Sequence, residues 1–172
     1  MRKTLYIIRH ASAEDAGNSS MFRDFDRELT STGIIEAARM GKYLSQKGID
    51  FDYVISSSAE RAKATAKIFC EQLNFDVEQI HLDEKLYGGG ARSYLAALNA
   101  LEIKCDKLAV FGHNPDVSFL AEYLTRADMG IGNGMEKAGV IILEFENLQW
   151  SEISSKDGKF IAYHSPMSIV NE

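Results

Sequence analysis

Two histidines and two arginines stand just beyond short apolar runs, where their side chains are suited to phosphate chemistry. The first apolar run ends at Arg9 and His10, the second is followed one helical turn later by Arg61, and the third by His113. A neutral imidazole is a nucleophile towards phosphorus, and a guanidinium binds phosphate oxygens through two parallel hydrogen bonds. These four side chains are of the types needed to bind and transfer a phosphoryl group without a metal ion.

Each of these apolar runs predicts a buried parallel strand, because it is short and is followed by a helical pattern. Open α/β sheets place their sites at the carboxyl ends of such strands. If the three strands are neighbours, the four side chains meet in one crevice. Helices beginning near Arg61 and at Asn114 and Pro115 would add the partial positive charge of their N-termini there.

Less specific interpretations exist for each residue. On the helix pattern alone Arg61 favours a solvated helix face, and His113 is equally compatible with a strand-end histidine that bonds a backbone carbonyl. The run Gly88–Gly90 lacks the lysine of a phosphate-binding loop and favours a plain turn. His81 and His164 lie in or beside edge-like strands and are predicted to have no catalytic role. The histidine spacings typical of metal sites do not occur, so neither a metal nor another cofactor is predicted.

The order of the patterns predicts an α/β fold with residues 1–172 forming one domain. Helical stripes alternate with the strand-like runs, and the first helix has a suitable N-cap in Thr30 and a suitable end at Gly48. The tail changes character, and its strand-like runs predict a C-terminal β-meander at Val140–Phe145, Trp150–Ser154 and Phe160–Tyr163. We therefore expect a three-layer α/β/α sandwich with a mostly parallel mixed sheet and helices on both faces.

A polar stretch of unusual length follows the first strand, from Ala11 to Glu28. Loops of this length are uncommon without a functional reason. This one carries several side chains that are able to act as acids or bind anions, namely Asp15, Asn18, Arg23, Asp24, Asp26 and Arg27.

Composition excludes several classes of function. The formal net charge of −6 argues against a nucleic-acid-binding protein, which needs a basic face, and implies that any phosphate site is a local basic pocket. The two cysteines, Cys70 and Cys105, show no metal or redox spacing, which favours a reducing cytoplasm. No apolar run approaches the roughly 18 residues of a membrane span, so a membrane partner is not expected either.

Four sequence blocks, in this order, resemble the histidine phosphatase superfamily. They are Arg9-His10-Ala11, then Arg27 to Gly33, then Ser57 to Ala66, and finally Gly112-His113-Asn114-Pro115. Their order and spacing are most similar to the small SixA-type phosphohistidine phosphatases. The resemblance covers nearly the whole chain, from Thr4 to about Phe145.

The resemblance implies roles for individual residues. His10 would be the nucleophile that becomes phosphorylated, Arg9 and Arg61 would bind the phosphoryl oxygens, and His113 would be the second pocket histidine. Ser57 would bind substrate and shape the turn that positions Arg61. Asn114 would be a further substrate-binding residue beside the pocket. The sequence departs from the family pattern in having alanine after the Arg-His pair, serine for proline at Ser58, and Glu136-Lys137 where relatives often have Pro-Thr.

The general acid is open between three carboxylic acids. Glu84 lies roughly where larger relatives carry a catalytic carboxylate, and Asp24 or Asp26 from the long polar stretch are the alternatives. Lys137, in contrast, would add positive charge at the rim of the pocket. An imidazole leaving group departs readily, so a phosphohistidine substrate needs little acid catalysis.

The resemblance implies a metal-independent phosphatase that hydrolyses phosphohistidine on a partner protein and releases phosphate. Its partner would be a phosphohistidine-bearing protein such as a phosphotransfer domain, and the short chain leaves little room for a helical lid over the pocket. The alternative is a small-molecule phosphomonoesterase, for which residues 15–26 or 128–137 would fold over the pocket and a carboxylic acid would be essential. A catalytically inert phosphate-binding module is the third hypothesis.

Overall fold

The computed structural model describes residues 1–15 and 23–170, and Asn18 of the polar stretch lies outside these ranges. The strands are β1 (Arg2–Arg9), β2 (Tyr53–Ser57), β3 (His81–Asp83), β4 (Lys107–Gly112), β5 (Val140–Glu146) and β6 (Lys159–His164). The helices are α1 (Ser31–Gln46), α2 (Glu60–Gln72), α3 (Ala91–Asn99), α4 (Asp116–Leu124) and the short α5 (Pro166–Ile169). Strands and helices alternate from β1 to α4, as the sequence predicts.

One six-stranded sheet has the order β3-β2-β4-β1-β5-β6. The first four strands in this order are parallel, whereas β5 runs antiparallel to β1 and β6 antiparallel to β5. The mostly parallel mixed sheet is thereby confirmed. In the register of β1 with β4, Arg9 stands opposite Gly112, so the residues that follow both strands leave the sheet at the same edge.

Helices cover both faces of the sheet. In β1, Leu5 and Ile7 pack with α3 and α4, and the alternating residues Tyr6 and Ile8 pack with α1 and α2. All four side chains are buried, as expected for a central strand with a helical layer on either side. This confirms the three-layer α/β/α arrangement.

The ends of α1 follow the sequence signals. The Thr30 hydroxyl accepts a hydrogen bond of 3.0 Å from the Gly33 backbone N–H, which satisfies one of the free donors of the first turn. Gly48 follows the helix with a φ of +76°, a left-handed conformation that glycine adopts without a steric penalty.

The tail differs from the predicted meander in its middle strand. Residues Trp150–Glu152 form a 3-10 helix, so the prediction of a strand at Trp150–Ser154 is wrong, and β5 pairs directly with β6. Trp150 is buried against Phe145, and its indole N–H donates to the Cys105 carbonyl over 2.8 Å. A buried aromatic residue beside polar ones gives an alternating pattern that mimics a strand when only the sequence is read.

The described residues of the polar stretch form two short pieces of regular structure before α1. Ala13 and Leu29 form an isolated antiparallel bridge, and the residues Asp24–Asp26 form a 3-10 turn. The stretch therefore returns to the carboxyl edge of the sheet, where it meets the residues that follow β1 and β2.

Candidate active site

The two predicted histidines lie side by side at the carboxyl ends of β1 and β4. The His10 backbone N–H donates to the Gly112 carbonyl over 3.0 Å, which fixes the chain beyond β1 against the end of β4. The imidazole ring centroids of His10 and His113 are 5.3 Å apart, and both side chains are buried, each residue being 7% exposed. The strand adjacency expected from the sequence thus brings them together.

The backbone sets the tautomer of His10. Its Nδ1 lies 2.7 Å from the carbonyl oxygen of Ala11, and a carbonyl only accepts, so Nδ1 carries the proton. Burial, the neighbouring His113 ring and the positive charges of Arg61 and Arg9 oppose protonation and lower the pKa of His10 to about 3. The imidazole is neutral at pH 7, and Nε2 keeps its lone pair for a nucleophilic attack.

Ser57 connects β2 to His113. Its hydroxyl oxygen accepts a 3.2 Å hydrogen bond from the Ala59 backbone N–H and lies 2.8 Å from His113 Nε2. The hydroxyl hydrogen is able to donate to Nε2, and in that arrangement the proton of the neutral ring is on Nδ1. Burial, followed by the charge of Arg61, lowers the pKa of His113 to about 4, so this ring is also neutral at pH 7.

Arg9 reaches from β1 to the segment before β5. One of its terminal nitrogens, Nη1, donates to the Met135 carbonyl over 2.7 Å. Asn114 donates to the same carbonyl over 3.1 Å and accepts from the Ser118 hydroxyl over 2.7 Å. Asn114 therefore lies close to Arg9, and its amide helps to hold the loop that Arg9 contacts.

Arg61 is buried in the first turn of α2 and is paired with the polar stretch. Its Nη1 donates to the Asp24 carbonyl over 2.7 Å, and its Nη2 lies 3.1 Å from Asp24 Oδ2. The Tyr87 hydroxyl donates to the same carboxylate oxygen over 2.6 Å, and Arg27 Nε lies 2.9 Å from the other oxygen. These partners, chiefly the Tyr87 hydroxyl, lower the pKa of Asp24, which is an anion at neutral pH.

Buried nitrogens without a hydrogen-bond partner gather at this site. Within the described ranges, Arg9 Nε, Arg61 Nε and His113 Nδ1 are each shielded from solvent and unbonded. Unpaired buried donors are costly, because each has lost its water without gaining an acceptor. An anion with several oxygens, such as a phosphoryl group, offers the acceptors that donors of this kind lack, and Arg27 Nε belongs to the same set.

The predicted acids lie at the same edge in different settings. Glu84 is exposed in a 3-10 turn that follows β3, directly after Asp83, which pairs in register with Ser57. Asp26 is exposed and pairs with Arg23 over 3.2 Å. Lys137 is exposed before β5, in the segment that also supplies Met135. The acid role of Glu84 stays a prediction.

Three site residues were not singled out from the sequence. The Tyr87 ring stands edge-on to His113, with 5.6 Å between ring centroids. Buried Tyr94 accepts from the His113 backbone N–H over 3.1 Å and donates to the Leu86 carbonyl over 2.9 Å. Thr65 Oγ1 accepts from the Ala11 backbone N–H over 3.0 Å and donates to the Arg61 carbonyl over 2.7 Å. The position of Thr65, four residues after Arg61, could have indicated its role from the sequence. No feature of the sequence indicated the roles of the two tyrosines.

The remaining histidines have other partners, and the glycine run follows Tyr87 directly in the chain. His81 is exposed on β3 and stacks on Tyr53, and His164 lies 3.5 Å from the Tyr43 hydroxyl. Gly88–Gly90 forms the turn before α3. Among the described residues, no three or more His, Cys, Asp or Glu side chains are grouped so that they could hold a metal ion. In the same residues, no helix has both the length and the hydropathy to cross a membrane.

The first half of the chain matches the model of a known protein family. Residues 5–88 match the model of the histidine phosphatase superfamily (branch 1). An uncharacterised protein of the cyanobacterium Picosynechococcus is 30% identical over 138 residues, which cover 80% of this chain and 82% of that protein. A 2,3-bisphosphoglycerate-dependent phosphoglycerate mutase of Bartonella tribocorum is 35% identical over 109 residues, 60% of this chain. The chain spans 50% of that mutase's length.

Solved structures share the fold over almost the full length. A protein of Nakamurella multipartitia, assigned as a phosphohistidine phosphatase SixA, superposes with a TM-score of 0.82 and 24% identity, over 96% of this chain and 97% of the other. The protein histidine phosphatase SixA in complex with tungstate gives 0.77 and 23%, over 95% and 97%. At these identities the likeness establishes the fold.

Proposed function

The chain belongs to the histidine phosphatase superfamily, and on that premise we propose that it is a phosphatase that hydrolyses phosphohistidine on a partner protein through a covalent intermediate on His10. The observation that carries this proposal is the state of His10. Its Nδ1–H is held by the Ala11 carbonyl at 2.7 Å, and its Nε2 is unprotonated beside two arginines and a second histidine. Such a group is poised for attack on phosphorus.

The reaction proceeds in two displacements. In the first, His10 Nε2 forms a bond to phosphorus while the P–N bond to the substrate imidazole breaks, and the departing nitrogen takes up a proton, for which Glu84 is the predicted donor. In the second, the oxygen of a water molecule bonds to phosphorus while the P–Nε2 bond breaks, and the water returns a proton to the same acid. Inorganic phosphate and the original neutral His10 are released, so no group other than water is consumed.

The arginines and His113 stabilise the phosphoryl group during both steps. Arg9 Nε and Arg61 Nε offer positive N–H donors, and His113 offers Nδ1–H when Ser57 donates to its Nε2. Phosphoryl transfer places charge on three equatorial oxygens, and donors preorganised around them lower the barrier. This set provides the required charge from protein groups, which supports a metal-independent reaction.

Phosphohistidine suits this site because its leaving group needs little help. Imidazole departs readily once protonated, and exposed Glu84 is the predicted acid, whereas Asp24 is held as an anion by Tyr87 and two arginines. The SixA fold, seen elsewhere in a protein histidine phosphatase that binds tungstate, supports the same substrate class and a SixA-type branch assignment. A histidine-containing phosphotransfer domain in the cytoplasm is the type of partner we propose.

The test is phosphate release from a phosphotransfer domain phosphorylated on histidine, in the presence of EDTA. The wild type is expected to release phosphate, and His10→Ala to lose at least about a thousandfold of this rate, as for removal of a covalent nucleophile. His81→Ala is the matched control, since His81 is exposed on β3 and should leave the rate unchanged. Equal rates for wild type and His10→Ala would refute the covalent role, and a loss of activity in EDTA would refute metal independence.

A small-molecule phosphomonoesterase is the second candidate. The pairing of Asp24 with Arg61 favours it, because it brings a carboxylate from residues 15–26 against a predicted phosphate-binding arginine. Release of phosphate from p-nitrophenyl phosphate but not from the phosphorylated domain would establish it, and release from neither would leave a phosphate-binding module.

A further inference from the structure

An apolar groove lies between α3 and α4, outside the phosphate pocket. It has a volume of about 420 Å³ and is lined by Ala91, Arg92, Leu95, Phe119, Leu120 and Tyr123. We refer to these residues as the α3–α4 groove. Phe119 is 55% exposed and Tyr123 is 44% exposed. Within the described ranges, no other Phe, Tyr or Trp side chain is exposed. Large aromatic side chains left in water at adjacent turns of a helix mark an interaction surface.

The groove begins at the edge of the sheet that carries the pocket. Tyr87 touches His113 and Asp24, and only Gly88–Gly90 separates it from Ala91, a path of at most about 14 Å for an extended chain. The Gly90 backbone N–H donates to Asp116 Oδ2 over 3.1 Å, which ties the starts of α3 and α4 together at that edge. A molecule that presents a phosphoryl group to His10 is therefore able to reach the groove at the same time.

The charge and size of the groove favour a transient, acidic occupant. Arg92 is its one charged lining residue, although the whole chain has a net charge of −6. Aromatic side chains bury about 150–250 Å² each, so the exposed halves of Phe119 and Tyr123 offer roughly 200 Å² together. A stable interface needs about 800 Å² from each partner, far more than this. Weak docking suits a substrate protein that must leave after each turnover and disfavours a permanent dimer of this chain.

We propose that the α3–α4 groove docks the phosphohistidine-bearing partner, which lays the apolar face of a helix against Phe119 and Tyr123 and a carboxylate against Arg92. A groove between two helices with aromatic anchors four residues apart is suited to an amphipathic helix. This inference rests on the proposed function, and it makes protein recognition separable from phosphoryl chemistry. The groove selects the protein, and the pocket acts on any accessible phosphoryl group.

The experiment compares two substrates of the full chain, a histidine-phosphorylated phosphotransfer domain and phosphoramidate, a small molecule with the same P–N bond. In Phe119→Ser/Tyr123→Ser, KM for the domain is expected to rise at least tenfold, with kcat/KM for phosphoramidate unchanged within twofold. Arg92→Glu should raise KM for the domain and spare phosphoramidate. Ile103→Ser is the matched control, because Ile103 is 46% exposed just before β4, at the opposite edge of the sheet.

Each outcome decides between the hypotheses. An unchanged KM for the domain in the double variant, or an equal loss on both substrates, overturns the docking proposal alone. A wild type that acts on phosphoramidate but not on the domain overturns the proposed function and the docking surface together. If sedimentation shows that the wild type is a dimer and the double variant a monomer, with both substrates unaffected, the groove is an interface between copies of this chain.

Discussion

At the scale of single residues, the site is organised by competition for the nitrogens of Arg61. Both of its terminal nitrogens point at Asp24, at 2.7 Å from the carbonyl and 3.1 Å from the carboxylate. A phosphoryl group approaching His10 needs the same positive charge. Arg61 is buried whereas the Asp24 side chain is 46% exposed, so the carboxylate stands on the solvent side of the guanidinium. Asp24 therefore acts as an internal anion that an incoming phosphoryl group must share or displace.

Removing this internal anion should strengthen the binding of phosphate. In Asp24→Asn, inorganic phosphate is expected to inhibit about five times more strongly, equivalent to about 1 kcal/mol, a size typical of a partly exposed ion pair. The measurement is the inhibition constant of phosphate against phosphoramidate hydrolysis. Asp26→Asn is the control, since Asp26 lies on the same turn but pairs with Arg23. Weaker inhibition in Asp24→Asn would show that Asp24 orients Arg61 for the substrate instead of competing with it.

The hydroxyl of Ser57 should act on the reaction through His113. In Ser57→Ala, His113 Nε2 loses its 2.8 Å partner, and the proton is no longer directed to Nδ1. We expect kcat to fall about tenfold, corresponding to about 1.4 kcal/mol of transition-state stabilisation. KM should change little, because both arginines remain. Ser58→Ala provides the control, and a kcat for Ser57→Ala equal to that of the control would remove Ser57 from the positioning of His113.

At the scale of elements, the loop after β1 is held by the N-cap and the first two turns of α1. The Ser12 backbone N–H and hydroxyl donate to Glu36 over 2.9 and 3.1 Å, and the Ser12 carbonyl accepts from the Thr30 backbone N–H over 3.0 Å. A Cβ atom at Gly33 would lie 2.0 Å from the Ser12 carbonyl oxygen, so only glycine permits this approach. The position of α1 is thereby coupled to the segment that carries His10.

Substitution of Gly33 tests this coupling. Alanine is normally better than glycine inside a helix by about 1 kcal/mol, but in Gly33→Ala the overlap with Ser12 should reverse the sign. We expect a loss of about 2 kcal/mol in the free energy of unfolding, as for an overpacked core, with a lower kcat because the His10 loop shifts. Urea unfolding and kinetics measure the two effects. Exposed Thr32→Ala should be near neutral, and a stabilised Gly33→Ala would contradict the coupling.

The sequence predicted the elements better than the contacts between loops. The strands before Arg9 and His113 were identified because central parallel strands are apolar on both faces, and their adjacency follows from the sheet. The 3-10 helix at Trp150 was missed because one buried aromatic residue imitates strand alternation. The contacts of Arg61 with Asp24 and of His113 with Tyr94 were also missed, since they join residues far apart in the chain and no local pattern specifies them.

At the scale of the whole molecule, the chain has a net charge of −6, whereas its candidate site brings Arg9 and Arg61 together with two buried histidines. Burial first, and then the positive charge of the arginines, opposes the protonation of His10 and His113 and keeps both neutral. The cost of this arrangement falls on stability in acid, because protonated histidines are accommodated in the unfolded chain and rejected by the pocket. Function and acid tolerance are therefore in opposition in this fold.

The pH dependence of unfolding should report this opposition. The pKa values of His10 and His113 are about 3 and about 4 in the folded protein, below the usual value of 6.5. The unfolded state therefore binds more protons below pH 6.5, and stability is lost as the pH falls from there towards 4. Between pH 7 and pH 5 each histidine should remove about 2 kcal/mol from the free energy of unfolding. In His10→Gln this loss should shrink by about that amount, whereas His81→Gln should keep it in full. Urea unfolding of the three proteins across this pH range measures the effect. An unchanged pH dependence in His10→Gln would mean that His10 accepts a proton in the folded pocket and is not held as a free nucleophile.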